Sequence, residues 1–322
     1  MFSEVERWCD GKMASDIVES YIRPMEFRGS ASIGRATLLI VVSAFSFGSI
    51  SVLTVLTTSA GVPLLTAMAW RYGMAAVLIG AVVRTGTRYS ISRRRVVQLL
   101  LIGGCGQALI TYLSLYALEY IPVGPLAFLF YTYPAWVAIL AAIRRTETLT
   151  PARIMALIIA LTGVAIMVGA PTERLNPIGV ALALASALLY SAYLPALEYV
   201  QAGVPALFAT FLLIVGAAVA FVAAALFAGH LFVPSGGPVW TNIFLLAFVS
   251  TAIAFTSLIK GLSVLGPVRT SIVATVEPFF TAILGVVVLR NPFNTSTLVG
   301  GVLIAVAILL IEWSSARRAV TA

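Results

Sequence analysis

Charge is the scarcest thing in this chain. Of 322 residues, 10% are Asp, Glu, Lys or Arg while 61% are hydrophobic. A soluble domain of this length has about a quarter of its residues charged. A water-facing surface is therefore excluded, and a mean hydropathy of +1.05 points to a membrane protein. There is one histidine, His230, in an expected loop, and there are two cysteines, Cys9 and Cys105, far apart. These make neither a disulfide framework nor a metal-ligand set, and no metal or other cofactor is expected. Closely spaced acids, a nucleophile with its base and a phosphate-cradling glycine loop are also missing, which argues against an enzyme.

What the chain has is long apolar runs. A spanning helix needs about 20 largely apolar residues, and ten such runs are present, near 36–57, 62–83, 97–117, 121–143, 151–170, 177–197, 204–228, 240–262, 267–289 and 296–313. Short polar breaks such as RTGTRYSISRRR and PTERLNP separate them. With the N-terminus in the cytoplasm, 15 Lys and Arg residues fall on the inner side, and only Arg174 and Arg290 fall on the outer side. The positive-inside rule then puts both termini in the cytoplasm. The net charge of +8 thus follows loop topology, and nucleic acid is not an expected partner. The first run is too long for the apolar core of a cleaved signal peptide. Residues 1–33 read as a polar cytoplasmic tail, with Met13 and Met25 as alternative starts to Met1.

A shift of 144 residues lays YPAWVAILA (133–141) on EPFFTAILG (277–285), Pro134 on Pro278, without gaps. Spans one to five and six to ten then read as two copies. Because five is odd, the second copy enters the membrane upside down, a construction used by secondary transporters with a site between the halves. The expected fold is all-α and membrane-integral, with ten helices in two inverted five-helix repeats. Its parts are a tail at 1–33, repeats at 34–171 and 172–314, and a tail at 315–322.

Ionisable groups inside spans are costly and mark functional candidates. Glu277 lies deepest; such a carboxylate can exchange a proton or hold a cationic group of a solute, or else pair structurally with Arg269 or Lys260. Arg71, mid-span between Trp70 and Tyr72, can bind a carboxylate or phosphate or anchor neighbouring helices. Lys260 lies near a span end, where it can snorkel. Glu147 is expected at the start of a helix, in TETLT. Tyr112, Tyr116, Phe130, Tyr131, Tyr133, Tyr190 and Tyr193 form an aromatic set able to line an amphipathic cavity. Pro134 and Pro278 are expected to kink spans four and nine at matching depth, where unpaired carbonyls need protein or a wet cavity.

These residues resemble the drug/metabolite transporter superfamily, in its ten-helix EamA-type members. The similarity covers about residues 36–314 and is carried by AWRYGMAAVLIGA, YALEYIPVGPLAFLFYTYPAWVAILAAI, TETLTPARIMALIIALTGVAIM and KGLSVLGPVRTSIVATVEPFFTAILGVVVL. One departure is Asn291, where members often have Glu. The resemblance implies alternating access without ATP and export or uptake of small metabolites; the leading reading is an exporter of amino acids or related amphipathic solutes, with proton coupling and facilitated diffusion both open. A multidrug exporter, an uptake carrier and a non-transport membrane protein are the alternatives. The implied partners are the lipid bilayer and the substrate, and the chain is a monomer or homodimer.

Overall fold

A computed structural model describes residues 30–84, 91–121, 123–146, 149–168, 175–290 and 295–321. Cys9, Glu147, Arg174 and Asn291 lie outside the described residues. Among the described residues every regular element is helical. The elements are α1 Ser30–Ser59, α2 Leu64–Arg84, α3 Arg93–Glu119, α4 Val123–Phe130, α5 Tyr133–Ile143 and α6 Pro151–Val168. The second half contains α7 Pro177–Gln201, α8 Ala206–Phe227, α9 Gly237–Ala274, α10 Glu277–Leu289 and α11 Thr295–Thr321. Seven segments are long and apolar enough to cross a bilayer, and Pro151–Met167, Glu277–Val288 and Thr295–Ile311 are shorter apolar helices.

The expected kinks at Pro134 and Pro278 are corrected by this structure. Each proline lies in the first turn of a new helix, after a break at Tyr131–Thr132 or Thr275–Val276. Proline lacks an N–H, and the first turn is where that N–H has no intrahelical partner. The two breaks coincide under the 144-residue shift, as do Tyr133 and Glu277, the residues that open α5 and α10. The expected spans eight and nine also divide differently. Gly266, at φ 74 and ψ 170, bends α9 before Pro267, a backbone geometry that favours glycine. The ninth expected span is thus two rods, 267–274 and Glu277–Leu289.

Packing repeats with the halves exchanged. The N-terminal helix of the first half, α1, packs on α9 and α10; that of the second half, α7, packs on α3, α4 and α5. The pairs α2–α8 and α6–α11 join the halves directly. Small residues allow the last contact: Ala156 and Ala160 are buried, and a Cβ on Gly300 would lie 2.4 Å from the Gly163 carbonyl oxygen. The outer faces carry exposed Leu38, Val77, Ile158, Val219, Val287 and Leu309. So much exposed aliphatic surface on a bundle with a closed core is suited to lipid. The molecule is a multi-pass membrane protein.

Candidate functional site

The third helix of each half contains a π-helical segment, Ile102–Gln107 in α3 and Phe248–Ile253 in α9. The two overlap under the 144-residue shift, which pairs Gln107 with Thr251. A π-segment leaves the backbone ladder out of step and is common at functional sites. Here Gln107 lines a half-open cavity of about 380 Å³ between the halves. The cavity wall comes from the second half of α1, the end of α3, α4, Met167 of α6, Tyr190 of α7, the start of α10 and Thr297 of α11.

Glu277 lines this cavity from the first turn of α10. Its position follows from the break before it, because a first-turn side chain at a helix N-terminus is free of packing from a preceding turn. That terminus also favours an anion. The Tyr131 hydroxyl faces the Glu277 carboxylate. Tyr131 belongs to the other break, so the two interrupted spans meet through this pair. The aromatic wall is continuous: Phe130 lies 5.6 Å from Tyr190 between ring centroids, and Tyr133 meets Tyr190 edge-on at 4.7 Å. Ser51, Thr111, Ser114, Thr281 and Thr297 add hydroxyls. Among the described residues the lining contains one carboxylate and no lysine, arginine or histidine.

Other sequence candidates lie elsewhere. Arg71 is 1% exposed and outside the cavity lining. Its Nε donates to Thr251 Oγ1 at 2.7 Å and its Nη2 to the Ser250 carbonyl at 3.0 Å, both in the second π-segment. Of the two roles open to Arg71 in the sequence, this placement is that of a helix anchor. Lys260 is exposed on α9 and Arg269 is half-buried after the Gly266 bend; neither lines the cavity. Tyr112 stacks on Tyr116 at 5.3 Å, and the Tyr116 hydroxyl lies 3.3 Å from that of Tyr120, a cluster beside the cavity wall. Tyr133 is buried behind Tyr190, with its hydroxyl donating to the Ser271 carbonyl at 3.5 Å.

Sequence reasoning missed Gln107. Its Nε2 donates to Thr111 Oγ1 at 2.9 Å, and its Oε1 is buried without a partner among the described residues. An amide inside an apolar run is itself a signal, since it has donors and acceptors that lipid cannot satisfy.

Two similar helical halves, packed against each other around a small, mostly apolar cavity that holds one carboxylate among the described residues, make a pseudosymmetric multi-pass membrane fold. The pattern of the EamA-like transporter family matches this chain twice, over residues 34–169 and 177–313, and the chain belongs to that family. No curated protein matches it. Among solved structures, one described as a crystal structure of protein superposes with a TM-score of 0.70 at 20% identity, covering 88% of this chain and 98% of that one. That likeness is one of fold.

Proposed function

We propose that this protein is a secondary transporter that moves small amphipathic organic solutes across a cell membrane by alternating access, without ATP. In this reading the ten apolar runs cross the membrane, both termini are cytoplasmic, and Glu277 exchanges a proton for the solute. The cavity then belongs to the outer half of the bundle, among the outer ends of α1, α3 and α6 and the starts of α4 and α11. A carboxylate reached from outside releases its solute outward as it takes up a proton, which is export. The groups facing Glu277 are Tyr131, Tyr133 and Tyr190.

One observation carries the reading. The repeat partners of the cavity residues Gln107, Thr111, Tyr131, Glu277 and Thr281 are Thr251, Phe255, Thr275, Tyr133 and Val137, and all five partners are buried. An inverted repeat permits a second conformation in which the halves exchange roles, closing the present cavity and opening one around those partners on the opposite side. The polar content of that closed region, with Thr251, Thr270, Ser271 and Thr275 wholly buried, suits a surface that is wet in the other state.

The test is flux in proteoliposomes across a panel of amines, amino acids and organic acids, with a pH-sensitive dye inside. Solute flux accompanied by opposite proton movement is expected, and absence of both across the panel sinks the transporter reading. Glu277→Gln is expected to lower coupled flux at least tenfold and to flatten its dependence on pH, while the protein stays monodisperse. Unchanged flux across pH in that variant would make Glu277 structural.

A further inference from the structure

The cavity's own chemistry narrows the solute, on the reading that this cavity is the transport site. Among the described residues its lining offers one carboxylate and no cationic side chain. An anionic solute would leave water with no opposite charge to meet and would lie beside Glu277, an arrangement that low-dielectric surroundings penalise strongly. A zwitterion would satisfy Glu277 with its ammonium but would have only hydroxyls for its carboxylate. A cation meets Glu277 directly, and aromatic faces are near to receive its charge and its carbon frame: Phe130, Tyr131 and Tyr190 line the same space.

A second, independent observation concerns hydrogen. Gln107 is 8% exposed and lines the cavity, with its Nε2 engaged by Thr111 and its Oε1 without a donor among the described residues. Buried acceptors are rarely left unmade, because each costs about 1–3 kcal/mol. A ligand bearing N–H groups would supply what is missing; a quaternary ammonium has none.

We propose that the cavity selects a small organic cation with N–H donors, a protonated primary or secondary arylalkylamine. Its ammonium is shared between the Glu277 carboxylate and Gln107 Oε1, and its ring lies against Phe130, Tyr131 and Tyr190. Gln107 then separates protonated amines from quaternary ammonium ions, and Glu277 separates cations from everything else. At about 380 Å³ the cavity is near the lower end of the ~300–1,000 Å³ range of small-molecule sites, which suits a single ring with a short chain.

Calorimetric titration of the purified full-length protein tests this with a series of phenylalkylamines of two to four methylenes. Each is compared with its N,N,N-trimethyl analogue, the matching alcohol and the matching carboxylate. At least one amine is expected to bind, with its trimethyl analogue at least tenfold weaker and the alcohol and carboxylate weaker still. Binding of the alcohol or carboxylate as tightly as the amine overturns the proposal, as does the absence of amine binding across the series. Gln107→Leu is expected to abolish the preference for amine over trimethyl analogue while leaving the latter's affinity unchanged. An equal loss for both ligands, in a variant that remains monodisperse, removes Gln107 from the site. Flux of the same compounds separates this from the transport reading. An amine that binds but is not carried refutes transport alone, whereas carried organic acids with no amine binding refute the cation site alone.

Discussion

The two π-segments occupy the same place in the two halves and are held in opposite ways. In the first half, Ile102–Gln107 meets α8 backbone to backbone. A Cβ on Gly103 would lie 1.9 Å from the Leu213 carbonyl oxygen, and one on Gly216 would lie 2.1 Å from that of Leu100. In the second half, Phe248–Ile253 meets α2 through the buried Arg71 guanidinium, bonded to Thr251 and Ser250. A glycine seam is held by dispersion and can slide at small cost per step. A buried cation loses its partners if the seam parts, and desolvation of the guanidinium then goes uncompensated. The first seam is therefore the compliant one and the second the fixed one. The compliant seam is also the one whose π-segment ends on the cavity, at Gln107, so freedom to move and a place in the cavity wall fall on the same helix.

The largest break in this comparison is to put a side chain into the glycine seam. Gly103→Val places branched carbon where a carbonyl oxygen already is, and flexible side chains cannot absorb the clash because the neighbour is backbone. The expected cost exceeds about 3 kcal/mol, read as loss of monodisperse protein on size-exclusion chromatography. A Gly103→Val variant that purifies and melts like the parent would show that α3 and α8 are not in close contact.

Next is Arg71→Ala. It removes the cation, leaves the Ser250 carbonyl in a π-segment without its donor and opens a hole beside Tyr72, whose ring lies 4.9 Å from the Arg71 guanidinium carbon. A loss of about 2–3 kcal/mol is expected, measured as a lower midpoint in thermal unfolding in detergent. Arg71→Lys keeps the charge but loses the planar fork that reaches both acceptors, so it should recover only part of that loss. Full recovery would mean that charge alone, not the bonded seam, is what the position needs.

How much of this was legible in the sequence depends on range. The membrane class followed from composition, and the duplicated unit followed from the register of Pro134 with Pro278, because both are local properties of the chain. Glu277 stood out because an acid in an apolar run is costly wherever the rest of the chain goes. The breaks at 131–132 and 275–276 were misread as kinks, since a proline says that a helix is interrupted but not whether it resumes. The π-segments, Gln107 on the cavity wall and Arg71 on Thr251 were not legible. They depend on helices brought together from residues 180 apart in the case of Arg71 and Thr251, and no local pattern encodes which face meets which partner.

A smaller effect, in occupancy more than stability, separates the halves functionally. Ala127 lines the cavity from α4, and its repeat partner Ser271 is wholly buried in α9. In a background with both native cysteines replaced, Ala127→Cys is expected to react with a membrane-impermeant thiol reagent from outside. Ser271→Cys should react only from inside and only in the fraction of molecules that has switched. Outside labelling of both positions would place the two on one surface and end the exchange of roles between halves.

The smallest predicted change is a control on the seam argument, Gly73→Ala. Gly73 lies in α2, two residues from Arg71, yet a Cβ there meets nothing within 4 Å. Alanine is the better helix former by about 1 kcal/mol and also restricts the unfolded chain. A gain of about 0.5–1 kcal/mol in thermal stability is therefore expected, with the Arg71 bonds unaffected. If Gly73→Ala instead destabilises the protein as Gly103→Val does, close packing is general to these helices, and the contrast between a sliding glycine seam and a fixed arginine seam disappears.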